Sequence, residues 1–213
     1  MPGVCKSLTS GRAIVTVCGV LAWWFALVVP VNNAEASYLS TVEFSGNVDQ
    51  VSGNPGFVIK TGDQISGSFS FDLEGIDVNA SNLNQGYYHQ SPPAGVEITS
   101  AGFTFRADVK SFPEYIISVE NDDSSVPPTR DVFHWSAGDP NLAASLGVGN
   151  LQSNMTLQDL TARAFFDDSL PRDLDIRNFN GVLFVNATNY SASGMPVVVW
   201  SIRVKINSIR LKQ

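Results

Sequence analysis

The chain has 213 residues, 44% of them hydrophobic, and sets 20 acidic side chains against 13 basic ones for a formal charge of −7. That balance repels nucleic acid and anionic membrane surfaces, and no Lys/Arg cluster reverses it locally. Its two cysteines, Cys5 and Cys18, both lie near the N terminus and cannot form a disulfide framework for the rest of the chain.

The first predicted element is a leader. Ala13–Val31 reads AIVTVCGVLAWWFALVVPV without a charge, after Lys6 and Arg12 and before Ala34-Glu35-Ala36. A basic start, an apolar run and small residues flanking a cut point are the grammar of a secretory signal. Residues 1–36 are therefore expected to be a signal peptide, and residues 37–213 a single secreted or periplasmic domain. A retained anchor is the alternative, because the run approaches the roughly 20 residues that span a bilayer. Pro30 and the Ala-x-Ala site favour cleavage, and the body lies outside either way. Cleavage removes both cysteines, leaving a body without disulfide, thiol nucleophile or cysteine-ligated metal that must rely on its core. No membrane contact is expected after cleavage.

From there the chain reads as β. Val42, Phe44, Gly46 and Val48 alternate with polar neighbours, as do Ile65, Gly67, Phe69 and Phe71, then Phe103, Phe105, Ala107 and Val109. Tyr115, Ile117 and Val119 follow the same rule, and so do Trp200, Ile202, Val204 and Ile206. Period-two alternation gives one buried and one wet face. Further strands are expected near Gly56–Thr61, Gly95–Thr99, Asp131–Ser136, Asn154–Leu160 and Gly181–Val185. Helical signals are few: Asn141–Leu146 suits one turn, and Leu157–Phe166 suits helix or strand. Gly53-Asn54-Pro55-Gly56 and Ser100-Ala101-Gly102 read as turns, and Asn79–Pro93 and Asn121–Arg130 as longer connections. About ten short strands between such turns predict an all-β fold, an antiparallel β-sandwich of jelly-roll-like kind, in one domain.

Phe44-Ser45-Gly46-Asn47-Val48, followed by Gly62-Asp63-Gln64-Ile65-Ser66-Gly67-Ser68-Phe69-Ser70-Phe71-Asp72, resembles the opening of exported bacterial proteins of the PEP-CTERM/exosortase-associated kind. Tyr87, Pro93, Gly102-Phe103-Thr104-Phe105 and Ser169-Leu170-Pro171 before Phe179 continue the likeness, which spans roughly Leu39–Leu211. The resemblance implies a β-sandwich of the envelope or extracellular matrix and assigns no catalytic residue. The Pro-Glu-Pro motif, apolar segment and basic cluster that usually end such chains are not found in Ile209-Arg210-Leu211-Lys212-Gln213.

Catalytic signatures are scarce. The chain has two histidines: His89, in a segment that reads as loop, and His134, on an expected strand. No serine sits in a G-x-S-x-G elbow, and P-loop and dinucleotide fingerprints are missing. The acidic run Glu120-Asn121-Asp122-Asp123, with Asp131, gathers oxygen donors of the type calcium prefers. Glu120, Asp122 and Asp123 are thus candidate calcium ligands, against the plainer reading of solvated turn acids. Asp167, Asp168, Asp173 and Asp175 form a second such run. Sugar sites set flat aromatics among amides, which makes Tyr87, Tyr88 and Trp135, with Asn84, Gln85 and Gln90, the candidate glycan platform. Adjacent residues point apart on an extended chain, so one of the two tyrosines is expected to pack inward. Trp200 reads as core. The expected function is a non-catalytic structural or binding role outside the cell, with an extracellular polysaccharide or matrix protein as partner. A carbohydrate-binding module is the first alternative and a cryptic glycoside hydrolase the second.

Overall fold

The computed structural model of the chain describes residues 38–107, 115–123, 130–172 and 179–212. All of them belong to one compact unit, Ser37–Gln213. The expected leader, Val109, Asp173 and Asp175, and the middle of the 121–130 connection lie outside the described residues. Ten strands are described: β1 (Leu39–Gly53), β2 (Gln64–Asp72), β3 (Gln85–His89), β4 (Gly95–Ser100), β5 (Phe103–Ala107), β6 (Ile116–Asp123), β7 (Arg130–Gly138), β8 (Asn150–Asp159), β9 (Asn180–Tyr190) and β10 (Pro196–Leu211). One helix, α1 (Pro140–Leu146), separates β7 from β8.

The fold is all-β and antiparallel, as the alternation requires. Its strands form a single ladder in the order β3-β6-β7-β8-β9-β10-β1-β2-β4-β5. That ladder is one curled sheet, in which β6 to β10 pair in chain order as a meander. Curling brings distant parts of the ladder face to face. The Phe69 ring of β2 lies 5.8 Å from both Phe133 and Trp135 of β7. The inner face collects Val42, Phe44, Val48, Ile65, Phe69, Phe71, Phe105, Ile117, Leu157, Leu183 and Ile202, all buried, and each such side chain contributes roughly 1.5–3 kcal/mol when fully removed from water.

Several local expectations are revised. Gly56–Thr61 is not a strand: Pro55 and the left-handed Gly56 (φ 77°) interrupt it, and Phe57 instead packs on Phe103 at 4.8 Å and Trp200 at 5.5 Å. Leu157–Phe166 continues β8 only to Asp159 and then turns. Tyr87, Tyr88 and His89, expected in a loop, form β3 against β6. The expected turn at Asn141–Leu146 is α1, started by Asp139, whose Oδ1 accepts from the Leu142 N–H at 2.8 Å, and stopped by left-handed Gly147.

Both ends of the ladder are sheltered. At β3, Asp77 Oδ1 accepts from the Tyr87 N–H at 2.8 Å, and the Val78 N–H donates to the Tyr87 carbonyl at 2.9 Å. At β5, the Arg106 N–H donates to Asp139 Oδ2 at 2.8 Å. These contacts occupy backbone groups that a second chain would otherwise pair with.

Candidate functional site

The residues singled out in sequence do not assemble as expected. Trp135 is fully buried, packed between Phe69 and an edge-on Tyr115 at 6.3 Å, so it offers no surface to a sugar. Tyr88 is 6% exposed and donates its hydroxyl to the Asp168 carbonyl at 2.9 Å. Burial, with Asp77, Asp168 and Asp167 nearby, pushes its pKa up to about 12. Tyr87 faces the other way, half-buried on the outer face, edge-on to His89 at 5.7 Å. The inward tyrosine is therefore Tyr88, and the three-aromatic platform reduces to Tyr87. Of the expected amides, Gln90 is buried and accepts from the Asp72 N–H at 2.8 Å.

The acidic run is also divided. Glu120 Oε1 accepts from the Gln85 side chain at 2.9 Å, and Asp122 sits in the left-handed region (φ 54°) with its N–H donating to Asp131 Oδ1 at 3.1 Å. Asp123 is placed at the irregular end of the β6–β7 ladder, opposite Arg130. Among the described residues no group of three or more His, Cys, Asp or Glu side chains stands close enough to hold a metal ion.

Asp131 and its cross-strand partner Asp159 are structural. Both are buried. Asp131 Oδ2 accepts from the N–H groups of Ala164 (2.7 Å) and Phe165 (2.9 Å). Asp159 accepts from Thr161 through both hydroxyl and N–H, and from the Arg163 N–H. The pair thus folds loop 160–165 back over the end of the sheet. An acid at a core-parity position, as Asp131 is ahead of Phe133 and Trp135, is the sequence signal for such a role.

Concavity is found elsewhere, on the outer face of β10-β1-β2-β4-β5. Register carries the rung Arg210, Glu43, Ser68, Glu97, Arg106 across five strands, and beside it the rung Ser208, Ser45, Ser66, Thr99, Thr104. The span is roughly 19 Å at about 4.8 Å per strand. The members of these rungs on β10, β1, β2 and β4 line a trough with a volume of about 450 Å³, within the range of small-ligand sites. Arg210 closes on Glu43 through Nε at 2.9 Å and Nη2 at 2.7 Å, and Arg106 Nε on Glu97 at 3.1 Å. Lys212 Nζ stands 3.9 Å from the other Glu43 oxygen. The floor depends on Gly67: a Cβ there would lie 2.4 Å from the Glu97 carbonyl and 2.6 Å from the Phe44 ring. Sequence reasoning misses the site because its residues are scattered serines and charges that only register brings together.

The remaining outer face carries His134, whose Nδ1 lies 3.0 Å from the Thr156 hydroxyl. Burial lowers the His134 pKa from 6.5.

Comparison with protein-family models, with curated proteins and with solved structures finds no match to this chain.

Proposed function

We propose that this is an exported, non-catalytic binding protein whose trough on the outer face of β10-β1-β2-β4 takes a polyhydroxylated chain, an extracellular polysaccharide. The observation that carries the reading is the trough's chemistry. A row of short hydroxyls runs parallel to the Glu43–Arg210 pair and Glu97, so donors and acceptors alternate along a shallow channel. Such a lining exchanges hydrogen bonds with successive sugar hydroxyls, and charge-assisted bonds from the paired carboxylates and guanidiniums are the strong ones. Exposed ion pairs of this kind add little to stability, which leaves ligand contact as their more natural use. The likeness of the opening strands to PEP-CTERM/exosortase-associated proteins belongs to the same reading, since it concerns the same strands, β1 and β2. A purely scaffolding role by strand addition is less well supported, because the two outer strands are sheltered.

The test is affinity electrophoresis and calorimetry with cellohexaose, maltohexaose and a hexameric uronate, on the wild-type chain and on Ser66→Leu and Glu97→Gln. Binding to at least one oligosaccharide, weakened about tenfold or more by either substitution, is the expected result. No binding to any of the three, or equal binding by all chains, overturns the proposal. Release of reducing ends would replace it with hydrolysis by Glu43 and Glu97.

A further inference from the structure

A second surface stands apart from the trough and does not depend on it. The β9–β10 ribbon runs past the strands on either side: β8 begins at Asn150 opposite Thr188, and β1 ends at Gly53 opposite Trp200. Beyond these points, Tyr190 (59% exposed), Met195 (65%), Val197 (51%), Val198 (60%) and Val199 (40%) project into solvent. Neighbours on a strand point to opposite faces, so Val197 and Val198 make both faces of the ribbon apolar.

No charged residue occurs from Asn186 to Ile202. The segments at the ribbon's root are uncharged too. They are the Asn54–Ile59 loop, with Val58 86% exposed and Phe57 against Trp200, and Gly149, whose N–H donates to Asn189 Oδ1 at 2.7 Å. The turn pairs several of its own polar groups. Ser191 N–H donates to the Met195 carbonyl at 2.8 Å, Gly194 N–H to the Ser191 carbonyl at 2.8 Å, and Met195 N–H to Ser191 Oγ at 3.1 Å, while the Ser191 and Ser193 hydroxyls pair at 2.9 Å.

We infer that the ribbon 189–199 enters the headgroup layer of a zwitterionic lipid surface. A flat protein partner covers one face of a ribbon, whereas a fluid interface covers both. The hydrogen bonds within the turn lower its cost of leaving water, and an aromatic such as Tyr190 suits the interface. Charge selects the lipid: the acidic body is repelled by an anionic leaflet, while the uncharged ribbon matches a neutral one. This revises the sequence expectation of no membrane contact for the body.

The test uses the full chain with phosphatidylcholine vesicles, so that the N-terminal apolar run is common to every sample. In Val198→Trp, the added emission is expected to shift blue and be quenched by brominated-chain lipid, beyond the change in wild type. Flotation of Val197→Asp/Val198→Asp, with its β spectrum checked by circular dichroism, should fall about tenfold or more relative to wild type. Adding phosphatidylglycerol should weaken binding. No extra quenching at position 198, undiminished flotation, or stronger binding to anionic vesicles overturns the inference. Conversion of a dimer to a monomer by the double substitution also overturns it, and assigns the ribbon to a second copy.

Discussion

Asp159 keeps its charge at the apolar end of β8 because the next turn is folded around it. Burial alone would raise its pKa, but the Thr161 hydroxyl and the N–H groups of Thr161, Arg163 and Ala164 outweigh that and hold it below the ordinary 3.8. A carboxyl depressed in the folded state gives stability that is complete well above 3.8 and drains as the pH falls below it, because the unfolded chain binds the proton first. Asp159→Asn should therefore flatten the acid limb of melting temperature against pH and cost about 1–3 kcal/mol at neutral pH. An unchanged acid limb would remove this role. Gly67 is the other residue on which much rests. Gly67→Ala drives a methyl into the Glu97 carbonyl and the Phe44 ring, so a loss of about 1–3 kcal/mol is expected in denaturant titration. Both roles are half-legible in sequence. Gly67 is visible as an interruption of an apolar alternation, but nothing local to it names Phe44 as its neighbour.

At the scale of elements, the long alternating strands are legible because their period alone separates an inner from an outer face. β3 is not, since Gln85–His89 is short and lies between loop-forming Asn and Pro residues. What makes it a strand is its ladder with β6 and its cover by Asp77 and Val78. Asp77 Oδ1 accepts from both Asn79 and Tyr87 N–H groups at 2.8 Å. Asp77→Ala should cost about 1–3 kcal/mol and bare the outer edge of β3, and light scattering should then detect larger species than wild type forms. A variant that stays at the wild-type size would show that the edge needs no such guard. The Gly56–Thr61 segment shows the opposite failure: its apolar residues are there for Phe57 to wedge between Phe103 and Trp200, and not to alternate.

For the molecule as a whole, the sequence carries the all-β class but not the way its parts meet. β1 pairs with both β2 and β10, which joins the two ends of the body into one ladder, and no local pattern announces such a pairing. The trough is a product of that closure, because Arg210 and Ser208 come from the last strand and Glu43 and Ser45 from the first. The aromatic platform of Tyr87, Tyr88 and Trp135 fails for a related reason: strand parity and curling send two of the three inward, as core. The trough's ligand can be mapped at weak as well as tight affinity, by following amide shifts of the isotopically labelled chain as a hexasaccharide is added. The account predicts shifts confined to Ser45, Ser66, Ser68, Thr99, Ser208 and their neighbours across β10-β1-β2-β4. Shifts gathered instead around Tyr87 and His89, or none with any of the oligosaccharides, would contradict it.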